Sequence, residues 1–239
     1  MYKNNRIVVI MPCYNEVVKI GRGVQKVPRD IVDEVVVVDD GSTDGTAEDA
    51  RAAGATVLRH EINQGVGAGI RTGFNYALKQ GYDIITVMAG DDQDIPSEIT
   101  RLLDKIIDNG YDYVHGSRWL KGGIRVNHPS YRLLFTRVYS IIFWILFGFH
   151  ATDATNGYRA FKANILRDPR IRLDQEWLNK YELEPYFLVQ VVRCNYKLTE
   201  VPVTKVYHSK TVGYSKMIPW KSWWSILRPL FIIRFGLKK

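Results

Sequence analysis

Three short polar clusters interrupt the apolar pattern of the first part of the chain: Pro12-Cys13-Tyr14-Asn15-Glu16, Asp39-Asp40-Gly41-Ser42 and Gly90-Asp91-Asp92-Gln93. Each follows directly on an apolar, β-branched run. Carboxylates at two such points, Asp39 and Asp91, suit a nucleotide: one acid meets a polar edge of the base, the other lies near phosphates that need a divalent cation. Magnesium and manganese take oxygen ligands and usually keep several waters, so Asp91 with the amide oxygen of Gln93 is enough beside two phosphates. A lone Asp after a strand is more commonly a helix N-cap, the role expected of Asp44. No Walker sequence is present, and Gly65-Val66-Gly67-Ala68-Gly69 does not match GxGxxG. Neither a P-loop nor a dinucleotide fingerprint is therefore supported, and these glycines are expected to let a loop approach a helix start.

A single site requires elements that bring the clusters together. Arg6–Met11, Glu34–Val38, Ala55–Leu58 and Asp83–Met88 read as strands, with helices over 43–53, 66–80 and 96–109 between them. Apolar runs without strict alternation are the mark of parallel strands covered on both faces, and the spacing is that of βαβ units. The expected fold is α/β, a mostly parallel, Rossmann-like sheet. In such sheets ligands gather beyond the carboxyl ends of the strands, where all three clusters fall.

The 239 residues are 46% hydrophobic and 24% charged, a globular composition that excludes disorder as the main state. Two cysteines, Cys13 and Cys194, exclude a disulfide framework and a cysteine-built zinc or iron-sulfur site. The net charge of +8 is unevenly spread: residues 1–112 carry 12 Lys+Arg against 18 Asp+Glu, and the remainder 21 against 7. Tyr113–Thr152 and the stretch from Val201 onward contain no acid. Such blocks point to an anionic partner. Both are also rich in aromatic and aliphatic residues, which favours a membrane surface and argues against nucleic acid.

Leu133–Phe149 is apolar apart from Thr136, Arg137 and Ser140. Its length is at the lower edge of a membrane span. An interfacial or re-entrant helix within 130–150 is favoured over a spanning one, with a buried core helix as the remaining option. Near the end, Trp220, Trp223, Trp224, Leu227, Leu230 and Phe231 follow helical spacing, while Lys221, Ser225 and Arg228 share another face. This reads as a basic amphipathic helix at a membrane surface, kinked at Pro229. Residues 1–205 are thus expected to form the α/β domain and 206–239 a membrane-surface segment. Met1–Met11 lacks the apolar stretch of a secretory signal, so the expected location is peripheral or monotopic on the cytoplasmic side of the cell membrane.

Six strings occur in order: MPCYNE (Met11–Glu16), VVDDGSTDGT (Val37–Thr46), NQGVGAG (Asn63–Gly69), GSRWLKGG (Gly116–Gly123), ATNGYRAF (Ala154–Phe161) and GYSKM (Gly213–Met217). Together they resemble the family 2 glycosyltransferases, and within them the dolichyl-phosphate mannose synthase type. The resemblance implies a GT-A fold, a nucleotide-diphosphate sugar donor, a divalent metal (Mg2+ or Mn2+), inversion at the anomeric carbon, and dolichyl or polyprenyl phosphate as acceptor. It assigns donor binding to Pro12, Tyr14, Glu16, Val37, Asp39, Gly90, Asp91, Gln93, Arg118 and Lys210. Metal binding falls to Asp91 and Gln93, and the acceptor phosphate to Arg159, Lys210 and Lys216. Asp91, Arg118 and Arg159 are the implied catalytic residues.

Two positions depart from the family pattern. Ala89 stands where the first acid of Asp-x-Asp-x-Gln is usual, and Lys210 where arginine is typical. Three outcomes are open at Ala89: the metal is held by Asp91, Gln93, waters and diphosphate; Asp92 substitutes; or activity is lost and only binding survives. The first is preferred, because Asp92 would need a different backbone direction. Relatives of both kinds leave the donor open between UDP sugars, such as UDP-N-acetylglucosamine or UDP-glucose, and GDP-mannose, with UDP favoured.

Overall fold

The computed structural model describes residues 1–207 and 219–237, the side chains of 130, 131 and 219–221 excepted. The β-branched runs form one side of a seven-stranded sheet, from its edge to its middle: β1 (Ile7–Cys13), β2 (Glu34–Asp39), β3 (Thr56–Arg59) and β4 (Ile84–Val87). They are joined by β5 (Tyr113–Ser117), β7 (Arg159–Lys162) and β8 (Leu198–Pro202), in the order β3-β2-β1-β4-β7-β5-β8. All pairings are parallel except those of β7, which runs antiparallel to both β4 and β5. A short parallel pair, β6 (Ile124–Val126) and β9 (Thr204–Val206), stands apart.

Side chains alternate across the sheet, and both faces are apolar. Ile7, Val9, Met11, Val35 and Val37 pack under α1 (Lys19–Gln25), α2 (Thr46–Ala52) and α4 (Ile99–Ile107). Val8, Ile10, Val36 and Val38 pack under α3 (Val66–Gln80), α5 (Ser130–Phe147), α6 (Leu183–Arg193) and α7 (Pro219–Arg234). Burial on both faces is why these strands read as continuous apolar runs. The helix over 96–109 begins as a 3₁₀ turn at Pro96–Glu98. The N-cap of α2 is Gly45, one place after the expected Asp44. Asp44 still accepts the Thr46 N–H at 3.1 Å, so its carboxylate serves the same helix end from one residue earlier.

No helix among the described residues is long and apolar enough to cross a membrane. α5 instead divides its faces, burying Thr136, Tyr139, Ser140 and Phe143 against the domain and exposing Leu134, Val138, Ile141 and Ile145. The orientation of α7 differs from the sequence reading. Its polar positions turn inward: Ser222 and Ser225 are buried, and Arg228 pairs with Glu182 at 2.6 Å. Leu230 and Ile233 enter the core, Trp223 stacks on Phe135 with ring centroids 4.6 Å apart, and Trp224 is exposed. The helix continues through Pro229. The physical reason is the buried Glu182, whose charge must be paired and so draws the arginine face inward.

Candidate active site

A cavity of about 590 Å³ opens at the carboxyl ends of β1 and β4 and extends to the α5/α7 pair. Pro12, Tyr14, Glu16, Gly90, Asp91, Gln93 and Arg118, all singled out in the sequence, line it together. Gly90 is required there because its backbone lies against β1: an added Cβ would stand 2.7 Å from that of Cys13. The glycines at the start of α3 let another segment approach it closely. A Cβ on Gly67 would meet the Leu178 carbonyl oxygen at 2.0 Å, and the Ala68 N–H donates to the Asn179 carbonyl at 3.0 Å. The start of α3 thereby holds the 178–181 segment, which gives Lys180 and Tyr181 to the cavity wall.

Val37 and Asp39 take other places. Val37 is a core residue on the opposite face of the sheet. Asp39 is fully buried behind the wall, accepting the Ser42 N–H at 3.0 Å and paired with Arg59 at 3.3 Å. The adjacent Asp40 lines the cavity and accepts the Gln64 and Gly65 N–H groups at 2.9 and 2.7 Å, bracing the turn into α3. Lys210 and Lys216 lie outside the described residues.

Arg118 is buried and clamped by Asp153, which accepts from its Nε and from a terminal nitrogen, each at 2.6 Å. Its other terminal nitrogen donates to the Tyr207 hydroxyl at 2.6 Å. Burial opposes the charge of Asp153, but the Arg118 guanidinium outweighs it and holds the carboxyl below its ordinary range. Arg159 sits beneath the wall, donating from Nε to the Gly157 carbonyl and paired with Glu184. Of that pair, Glu184 lines the cavity.

The 89–94 turn bears on one of the alternatives at Ala89, substitution by Asp92. Asp92 has a positive φ of 58°, which turns its side chain away from the cavity onto Lys26 at 2.7 Å. It does not replace the missing acid. Asp91 faces the cavity from a deep position, and burial raises its pKa, with Asp94 and Glu16 adding repulsion and Lys205 opposing it. A carboxylate so placed is stabilised by an added cation. Among the described residues no group of three or more His, Cys, Asp or Glu side chains could hold a metal ion. Asp91 and Gln93 both line the cavity with oxygen donors, a partial set that a divalent cation would need a diphosphate and water to complete.

Several cavity residues had no signal in the sequence. Lys205 is buried at the wall and pairs with Asp94 at 2.9 Å. Burial works against its charge, yet Asp94 and Asp91 raise its pKa above the ordinary lysine value. Arg132 and Tyr207 line the same region, the guanidinium 5.9 Å from the ring centre. Lys19 lines it too, bridged to Glu16 at 2.8 Å. Arg118, Lys205 and Arg228, all from the basic half, are thus spent largely on buried acids.

The glycosyl transferase family 2 model matches residues 8–168. The chain is 35% identical over 221 residues to an undecaprenyl-phosphate mannosyltransferase from Micrococcus luteus, covering 89% of this chain and 87% of that protein. It is 28% identical over 240 residues to a UDP-N-acetylglucosamine--dolichyl-phosphate N-acetylglucosaminyltransferase from Methanococcus voltae, covering 92% and 94%. In three dimensions it resembles glucosyl-3-phosphoglycerate synthase from Mycobacterium tuberculosis, crystallised with Mn2+, uridine diphosphate and glucosyl-3-phosphoglycerate. The TM-score is 0.73 at 17% identity, over 99% of this chain and 82% of that one. The sheet order, the cavity at the strand ends and the extent of the family match lead to one conclusion: the chain belongs to glycosyl transferase family 2, has the GT-A fold, and is an enzyme of the glycosyltransferase type.

Proposed function

We propose that this enzyme moves a sugar from a nucleoside-diphosphate donor to dolichyl or polyprenyl monophosphate at the cytoplasmic face of the membrane, with inversion at the anomeric carbon. The observation that carries the reading is the lining of the cavity. It joins polar groups, Asp91, Gln93 and Lys205, to apolar side chains of α5 and α7, Phe135, Trp223 and Ile226. That combination suits an amphiphile, its phosphate among the polar groups and its chain against the helices. The exposed row Leu134, Val138, Ile141 and Ile145 lies on α5 itself, where a bilayer would meet it. The names of the relatives from Micrococcus luteus and Methanococcus voltae support a polyprenyl or dolichyl phosphate acceptor. A UDP sugar is the favoured donor, in keeping with the second of these and with the uridine diphosphate held by the structural neighbour.

The chemistry needs little from a general base. A phosphate monoester has a second pKa of about 6, so the attacking oxygen is already largely ionised at neutral pH. The protein must align that oxygen behind the anomeric carbon and exclude water, and then receive the charge of the leaving diphosphate. Asp91 and Gln93 would hold the divalent cation, which when bound supplies positive charge to that diphosphate. Arg118, fixed by Asp153, and Arg132 place cations on the same wall.

The test is transfer of radiolabel from a panel of UDP and GDP sugars to dolichyl and undecaprenyl phosphate in detergent, with Mg2+, with Mn2+ and with chelator. Glycolipid formed from one donor and stimulated by metal is the expected result. Nucleotide binding without product from any donor would refute transfer and leave a binding protein.

A further inference from the structure

Lys205 has no counterpart among the residues that sequence reasoning assigned to the site, and its neighbours hold it at the cavity. It lies on β9, which is tied to the 89–94 turn by the Val206 N–H donating to the Gln93 carbonyl at 2.9 Å and by an antiparallel bridge between Asp94 and Lys205. One carboxylate organises the whole arrangement. Asp94 Oδ2 accepts the Ala89 N–H at 3.0 Å, closing the turn, while Oδ1 accepts from Lys205 Nζ at 2.9 Å. The ammonium is therefore fixed to the same turn that carries Asp91 and Gln93, and it lines the same cavity.

This placement matters because of what position 89 lacks. With alanine there, the turn offers the cavity one acid fewer than the family pattern, and Lys205 adds a positive charge beside those that remain. Both changes weaken the hold on a divalent cation and strengthen the hold on an anion. An ammonium has three N–H donors and Asp94 is its hydrogen-bond partner among the described residues, so it has donors to offer a ligand. A lysine kept only to balance Asp94 would have no need of a cavity wall.

We propose that Lys205 is a donor-binding residue that contacts the diphosphate and carries part of the positive charge otherwise left to the divalent cation. The assignment rests on the reading that the cavity holds a nucleoside diphosphate. It makes donor binding less dependent on metal than the Asp-x-Asp pattern would.

The experiment is calorimetric titration of the full chain with UDP and GDP, in chelator and in Mg2+ or Mn2+, with uridine and guanosine binding followed by ligand-observed NMR. The unaltered chain is expected to keep measurable diphosphate binding in chelator. Lys205→Met should lose roughly tenfold to a hundredfold of that affinity, the range for a hydrogen bond to a charged group. The loss should be smaller with metal present, and nucleoside binding should not change. Lys205→Arg should restore most of the affinity. Because Lys205→Met leaves Asp94 buried without its partner, the double variant Lys205→Met with Asp94→Asn is measured beside it and should show the same selective loss. Equal binding by the variants in chelator would overturn the assignment, as would parallel loss of nucleoside and diphosphate. Binding by the unaltered chain only with metal would overturn it while sparing the reading of the cavity. No diphosphate binding under any condition would overturn both.

Discussion

Replacing Leu134 and Ile145 by serine tests whether α5 is the surface that meets the bilayer. Each side chain is 71% exposed, and the two lie at opposite ends of one helix face with Val138 and Ile141 between them. Full burial of a leucine or isoleucine is worth about 1.5–3 kcal/mol, so removing seven-tenths of that at two positions costs about 2–4 kcal/mol of membrane partition. At about 1.4 kcal/mol per decade this is roughly a thirtyfold to thousandfold weaker partition constant. The assay is flotation with vesicles of neutral and of mixed anionic lipid over a range of lipid concentration, with the thermal midpoint measured in parallel. The midpoint should barely move, since exposed substitutions away from special features usually stay within about 0.5 kcal/mol. Turnover on a short, water-soluble prenyl phosphate should also survive, while turnover on long-chain acceptor in vesicles falls. An unchanged partition constant with an unchanged midpoint would refute this use of α5.

Asp153→Ala should destabilise the fold by about 3–5 kcal/mol in chemical denaturation, because it strands the buried Arg118 guanidinium; Asp153→Asn should cost less, since an amide oxygen still accepts. A loss below about 1 kcal/mol for the alanine variant would contradict the clamp. Burial lowers the His115 pKa to about 3 and that of His128 to about 4. Between about pH 6.5 and those values the unfolded chain takes up protons that the folded one refuses, so their contribution is complete above that range and declines as pH falls, by about 1.4 kcal/mol per unit for each group. Denaturation from pH 7 to 5 should therefore show a shallower slope in His115→Gln than in the unaltered chain, and equal slopes would count against the buried, neutral imidazole.

Much of the first half of the chain was legible because its physics is local. Val35–Val38 lies between two helical layers, so every position is apolar and the strand announces itself. α1 was missed for a matching reason: it has seven residues, two of them glycine, and no side-chain cap, so neither periodicity nor a stop signal marks it. The site was legible where the motif sits on a strand end, as at Pro12 and Asp91, and not where function depends on a distant partner. Lys205 has its carboxylates more than a hundred residues away. Arg159 reads as a free cation until α6 brings Glu184 against it. α7 shows the limit of periodicity, since spacing defines two faces but the buried Glu182 decides which one turns inward.

The antiparallel strand β7 has a consequence for how the chain is made. β4 and β5 are near neighbours in sequence, yet β7 lies between them in the sheet. A nascent chain that has reached Ser117 therefore cannot add β5 to the growing sheet; it must wait for Arg159–Lys162, with β6 and all of α5 emerging first. Strand pairing across such a gap carries a loop-closure cost and is slow. During that interval the apolar row of α5 is outside the ribosome while the body it packs on is unfinished. If α5 meets a bilayer as proposed, vectorial synthesis offers it this helix before the sheet has closed, and docking and folding become competing events in time.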